Sequence, residues 1–348
     1  MLQYLTAGES HGRGLVGILQ GLPAGLKVKS IEINRELARR QKGYGRGARM
    51  KIEKDKAEIL AGLRKEKTIG APIALLVANK DFKIDNLPSL FLPRPGHADL
   101  AGSLKYNTRD IRDILERSSA RETAMRVAIG AVCKGLLREF KIKILSRVAG
   151  IGKANKKSMM ISEIDKAKAE GDSLGGVFEV SAINLPAGLG SYAHWQSRLD
   201  GRLAQALMSI PAIKGVEIGR AFFCATLRGS QVHDGIFYNK ARGFFRKGNH
   251  AGGLEGGITN GQPLMIRCAM KPIATLAKPL HSVNIKTKQA AKAAVERADI
   301  CAVQAAGVVG EAMAAFCLAQ ALLEKFGGDS ISETKRNYQG YLKQIKAF

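Results

Sequence analysis

Two histidines sit in short glycine-rich settings that could hold an imidazole against a reacting atom. His11 lies in GESHG (8–12), and His97 lies in RPGHAD (94–99). The first stretch also spells two other signatures. Gly8, Ser10 and Gly12 fit the G-x-S-x-G of a nucleophile elbow, while Gly12, Gly14 and Gly17 fit a dinucleotide-type G-x-G-x-x-G. An elbow needs a helix directly after its serine, and RGLVGILQGLPAG (13–25) has too many glycines and an early proline to supply one. The dinucleotide reading fails on the same ground, because no helix start presents amides to a pyrophosphate. Two readings remain open: a glycine turn bearing a surface histidine, or a loop whose glycines admit a ligand close to the backbone with His11 at work.

Cations recur beside glycine, serine and histidine. RRQKGYGRGARMK (39–51) holds six, and others stand at Arg94, Arg117, Arg121, Arg126, Lys271 and Arg297. With 55 basic against 30 acidic residues the net charge is +25, which predicts an anionic partner. Nucleic-acid surfaces interleave aromatics for base stacking, and here aromatics make up only 6% of the chain. The balance favours cations converging inward on a small polyanion. In ERSSARET (116–123), Ser119 and Glu122 read as a capping box, so Ser118 and Ser119 are expected at a helix N-terminus suited to phosphate. GNHAGGLEGGITNGQP (248–263) carries six glycines, as if backbone must approach something closely. MKPIAT (270–275) falls at a strand end, where Lys271 could face a phosphate or a flavin.

The elements that must position these residues follow from periodicity and punctuation. Helices are expected over 30–42, 117–140, 196–209 and 302–326, and strands near 69–78, 142–148, 174–184, 217–227 and 263–270. No regular βαβ rhythm appears, so the class is α+β with antiparallel sheets. Without a linker or repeat, residues 1–348 read as a single domain. The start lacks a basic leader and an apolar signal core, and no uninterrupted apolar run reaches membrane-spanning length. Five scattered cysteines without C-x-x-C spacing predict reduced thiols, a cytoplasmic setting and no metal site.

Seven ordered blocks spread over essentially the whole chain resemble the chorismate synthase family: GESHG (8–12), RRQKGYGRG (39–47), RPGHAD (94–99), ERSSARETAMRVAIGA (116–131), LMSIPAIKGVEIG (207–219), NHAGGLEGGITNG (249–261) and MKPIAT (270–275). The resemblance implies a sandwich of antiparallel β-sheets around a helical core, and homotetramers. It implies anti-1,4-elimination of phosphate from 5-enolpyruvylshikimate 3-phosphate, giving chorismate with reduced FMN, in aromatic amino acid biosynthesis. NADPH would enter only as a reductant, and neither a membrane nor a specific nucleic acid is implied as a partner.

By matching positions, Arg40, Arg46, Arg49, Arg94, Ser119, Arg121 and Arg297 would bind the substrate's phosphate and carboxylates. Arg117, Ser118, Ser119, Pro211, Ala212, Gly256, Lys271, Pro272, Ile273, Ala274, Thr275 and Arg297 would line FMN. Catalytic parts would fall to His11 at the departing phosphate, His97 near the flavin, and Asp299 on the route of the lost proton. Family members commonly read Arg-His-Asp or Arg-Ser-Asp where this chain has Arg297-Ala298-Asp299, and a proline where it has Gln304. A histidine ringed by arginines is expected to stay neutral until an anionic substrate arrives.

Overall fold

The computed structural model describes residues 1–47, 52–296 and 298–348. A first sheet comprises β1 (Gln3–Ala7), β2 (Gly14–Gln20), β3 (Ala57–Ala61) and β4 (Ile73–Ala78), in the order β1-β2-β4-β3 and antiparallel throughout. Alternation sets its inner face: in β2, Leu15, Gly17 and Leu19 are buried, while Val16 and Ile18 point out. A second antiparallel sheet comprises β5 (Lys143–Ile151), β6 (Gly176–Ile183), β7 (Ile213–Ile218) and β8 (Leu264–Met270), in the order β5-β6-β8-β7.

Between the sheets run α1 (Ser30–Gln41), α4 (Thr123–Arg138) and α7 (Val303–Phe326). Helix α4 packs on the first sheet and α7 on the second. The two helices meet at Gly130, where a Cβ would collide with Ala312, so their backbones approach unusually closely. The α+β sandwich around a helical core is therefore as expected. By length and composition α7 could cross a membrane, but 83% of its apolar window is buried between the sheets. The other helices of eight or more residues among the described residues are α2 (Asp99–Tyr106), α3 (Ile111–Ser118), α5 (Lys157–Glu170), α6 (Leu199–Met208) and α8 (Ile331–Ala347).

Two expected elements are wrong in an instructive way. The helix expected over 117–140 is two helices, because Ser119 is extended and ends α3 before a short 3-10 turn, Ala120–Glu122, leads into α4. Ser119 does cap that turn, accepting from the Arg121 N–H, but no capping box forms: Glu122 reaches Thr6 and Arg126 instead. Ser118 consequently closes a helix rather than opening one. The strand expected over 217–227 stops at Ile218, since the Glu217 carboxylate accepts the Phe222 N–H and starts a helical turn, Ala221–Cys224.

A charged cluster crosses the helical layer. Glu311, fully buried on α7, accepts from Arg39 (2.6 and 2.8 Å), Ser146 (2.6 Å) and Lys134. Burial opposes ionisation of this carboxyl, but its partners outweigh burial and hold its pKa below the ordinary value. Ionised Glu311 thus contributes stability above an ordinary glutamate pKa of about 4.3, and that contribution is lost as pH falls through the lower folded value. Glu311→Gln should cost about 3 kcal/mol at pH 7, leaving Lys134 and Arg39 short of a partner. In urea titrations the deficit relative to wild type should shrink on going from pH 7 towards pH 3.

Candidate active site

The glycine turn between β1 and β2 carries His11, and α3 holds it. Glu116, buried near the C-terminal end of α3, accepts the His11 backbone N–H (2.7 Å) and faces ring Nδ1 (2.9 Å). Ring Nε2 lies 3.8 Å from Asp81. Carboxylates therefore face this imidazole, and no guanidinium is among its partners within the described residues. The turn folds back on α3, which is why carboxylates are the ring's nearest charged partners among the described residues.

Those arginines gather next to the turn. Arg121 donates to Asp55 (2.6 Å) and Asn79 (2.8 Å) and lies 3.8 Å from Glu53. Arg40 bonds Thr123 (3.0 Å) and the Ala120 carbonyl (2.9 Å), with Asp55 at 3.5 Å. Burial pushes the Arg40 guanidinium down to about 10, Asp55 supports its charge, and neighbouring Arg46 and Arg121 oppose it. It still carries full charge near neutrality. Arg46 pairs with Asp299 at 3.4 Å, and Asp299 also takes the Gly47 N–H (2.6 Å). Arg40 Nη1 and Arg121 Nη2 are buried without hydrogen-bond partners among the described residues, and face Asp55 and Glu53 only at ion-pair range, 3.5 and 3.8 Å. Asn79 joins cluster to turn: its Oδ1 accepts from Arg121, while its amide donates to the carbonyls of Glu9, Ser10 and Gly12.

A second group brings three distant segments together. Arg94 is buried and spends its guanidinium on Asp99 (2.8 and 2.9 Å) and Thr275 (2.8 Å), with the His97 ring beside it. His97 Nδ1 meets Asp99 at 2.5 Å. Burial would raise the Asp99 pKa, but hydrogen bonds from His97 and Arg94 hold it well below the usual carboxylate range. Ionised Asp99 can only accept, so this short contact places hydrogen on His97 Nδ1. The Lys271 N–H donates to Ala212, which adopts a left-handed φ of +69°, and Lys271 Nζ reaches the Gly96 carbonyl. A strained non-glycine residue against this segment marks an over-determined site.

Other expected residues fall apart from these groups. Arg117 is exposed and bonds the carbonyls of Thr6 and Gly8 along the β1 edge. Gly256 is exposed at the tip of a small hairpin, Leu254–Glu255 with Ile258–Thr259. The nearby glycines serve backbone packing: a Cβ on Gly219 would strike His250, and one on Gly252 would strike Gly219. Arg49 and Arg297 lie outside the described residues. Sequence reasoning did not single out Glu53, Asp55, Asn79, Asp99 or Glu116, although Asp99 and Glu116 stood inside quoted motifs. A cavity of about 500 Å³ opens behind the His11 turn on the outer face of the first sheet, lined by Val16, Leu76 and Phe82.

Two histidine–carboxylate pairs and buried guanidinium donors on an α+β sandwich define an enzyme for a multiply anionic small molecule. The chorismate synthase family model matches residues 2–323. A chorismate synthase of Aquifex aeolicus is 53% identical over 100% of this chain and 99% of its own length. That of Caldanaerobacter subterraneus subsp. tengcongensis is 54% identical, with both chains fully covered. A crystal structure of chorismate synthase superimposes with a TM-score of 0.83 at 46% identity, covering 100% of this chain and 99% of that one. The chain belongs to the chorismate synthase family. It is a carbon–oxygen lyase of the shikimate pathway, releasing phosphate from 5-enolpyruvylshikimate 3-phosphate to leave chorismate.

Asn79→Ala should loosen both Arg121 and the His11 turn, lowering kcat/KM by at least about tenfold with loss of 1–3 kcal/mol of stability. Asp99→Asn should lower kcat by about 10²-fold through loss of the His97 orientation. Steady-state phosphate release and denaturant melts check both.

Proposed function

We propose that elimination takes place over the Arg40–Arg46–Arg121 cluster beside His11, and that it requires reduced FMN. The observation that carries this reading is the convergence of three guanidinium groups, from residues 40, 46 and 121, on the shared acids Asp55 and Asp299. The substrate bears a phosphate and two carboxylates, and planar guanidinium donors match such oxygens bidentately. Arg40, Arg46 and Arg121, with Arg49, Arg297 and Ser119, take these anionic groups. Arg94 is engaged by Asp99 and Thr275, which favours a part in holding His97.

Residues for the flavin come from Arg117, Ser118, Ser119, Pro211, Ala212, Gly256, Arg297 and the run Lys271, Pro272, Ile273, Ala274 and Thr275. Two observations support the fit. Lys271 and Thr275 adjoin Ala212 and the His97 group, and the buried Ser118 Oγ has no partner among the described residues. Reduced FMN, when bound, supplies electron density that is lent and recovered, so the reaction has no net redox change. His11 donates a proton or hydrogen bond to the leaving phosphate. His97 would keep a proton close to the flavin, and Asp299 would provide the exit for the proton lost from carbon. NADPH has a part only as reductant.

We read the chain as one cytoplasmic domain, supported by a continuous hydrophobic core and five free cysteines. Its partners are the small-molecule substrate and other copies of itself in a homotetramer, without membrane or specific nucleic acid. Leu5, Val16, Ile18 and Leu60, exposed on the outer face of the first sheet, support self-association.

Anaerobic phosphate release should need reduced FMN and should vanish with oxidised FMN alone. His11→Ala should lose 10²- to 10⁴-fold in kcat while flavin binding is kept. Turnover without reduced flavin, or an unimpaired His11→Ala variant, would overturn the reading.

A further inference from the structure

Glu116 is engaged with the His11 turn three times. Its backbone carbonyl accepts the Ser10 N–H (2.9 Å), its Oε2 accepts the His11 N–H (2.7 Å), and its Oε1 meets ring Nδ1 (2.9 Å). A cap on the turn alone would need only the backbone bonds. A carboxylate near the C-terminal end of α3 is also poorly placed against the helix dipole, and its side chain is only 3% exposed. Something must compensate, and the ring is the group in position to do so. Burial opposes its charge, but the ring and backbone hydrogen bonds from His11, with the positive charge of Arg112 behind, bring the Glu116 pKa below the ordinary value. An ionised carboxylate only accepts, so the short contact requires hydrogen on Nδ1.

We propose that Glu116 is a positioning residue for the elimination: it fixes the His11 tautomer with Nδ1–H inward, leaves Nε2 as the atom that exchanges a proton, and provides the negative charge against which the ring becomes an acid. This rests on the reading of His11 as the proton donor to the leaving phosphate. Among the described residues, the charged groups around the ring are few. Glu116, Arg112 and Arg117 come from α3, Glu9 from the turn itself, and Asp81 from the segment after β4, where Lys83 pairs with it at 2.8 Å. Of these, Glu116 alone is within hydrogen-bond distance of a ring nitrogen. Proton balance is simple: Nε2–H gives its proton to a phosphate oxygen, Nε2 keeps the electron pair, and Nδ1–H stays with Glu116. Solvent reprotonates Nε2 between turnovers.

The test uses full-length protein with ¹⁵N-labelled histidine, with the His11 signals identified by their loss in His11→Ala. In wild type the neutral ring should carry its proton on Nδ1. In Glu116→Gln the amide can accept or donate, so the Nε2–H tautomer should appear. The alkaline limb of the kcat profile should move to lower pH by about one unit, with kcat at pH 8 down by tenfold or more and KM little changed. Glu116→Asp, which keeps the charge on a shorter arm, should restore the limb though not the full rate. A wild-type neutral ring protonated on Nε2 would overturn the proposal, and that measurement needs no variant to fold. So would a Glu116→Gln enzyme with unchanged tautomer and pH profile. If His11→Ala itself turns over normally, the reading of His11 fails; if it is inactive while Glu116→Gln behaves as wild type, only the role of Glu116 fails.

Discussion

A guanidinium group removed from water must be met by a carboxylate, and this requirement shapes the whole molecule around its site. Arg40 and Arg121 share Asp55, Arg46 has Asp299, Arg94 is clamped on Asp99, and Arg39 meets Glu311 in the helical layer. Each pair spans distant parts of the chain or locks a turn, so the two sheets and the helices between them are held in the register that the pairs demand. Desolvation makes such pairs weak contributors to net stability, yet losing one partner is costly. Their value is direction, since a paired guanidinium cannot swing away from the place where an anion must sit.

This pairing also revises where the surplus charge resides. The sequence suggests that cations crowd inward, but the buried arginines are matched by acids at short range. The excess sits outside, on exposed residues such as Lys153, Lys156, Lys157, Lys343 and Lys346. Even Arg40 Nη1 and Arg121 Nη2, which make no hydrogen bond among the described residues, face Asp55 and Glu53 at ion-pair range, 3.5 and 3.8 Å. The two imidazoles follow the same logic. Glu116 and Asp99 each hold one ring at its Nδ1.

How much could be read from the chain alone depended on pattern. Antiparallel strands and a long core helix were legible because β6 and β8 alternate cleanly and α7 is largely apolar, whereas β2 was hidden by its glycines and the layering of sheets around helices came from the resemblance alone. Helix α5 was not, since only Met160, Ile164 and Ala167 are buried among charged residues, which leaves hardly any apolar stripe. His11 and His97 stood out because glycine and proline punctuate their surroundings. The partners of Arg121 did not: Glu53 and Asp55 lie in an unpatterned polar stretch and Asn79 just past β4, and only the folded chain carries them to Arg121 and the 8–12 turn. The serine pair at 118–119 misled because an S-x-x-E spacing specifies a cap only while its glutamate is free, and Thr6 and Arg126 engage Glu122.

The central claim is that acids aim the arginines, and Asp55→Asn tests it most directly. Removing this carboxylate adds positive charge to the site while releasing Arg121 and Arg40 from their shared anchor. Calorimetric binding of 5-enolpyruvylshikimate 3-phosphate to the folded variant should weaken by about tenfold, or about 1.4 kcal/mol, despite the added charge. Unchanged or tighter binding would contradict the account, because it would mean that net charge rather than direction governs recognition.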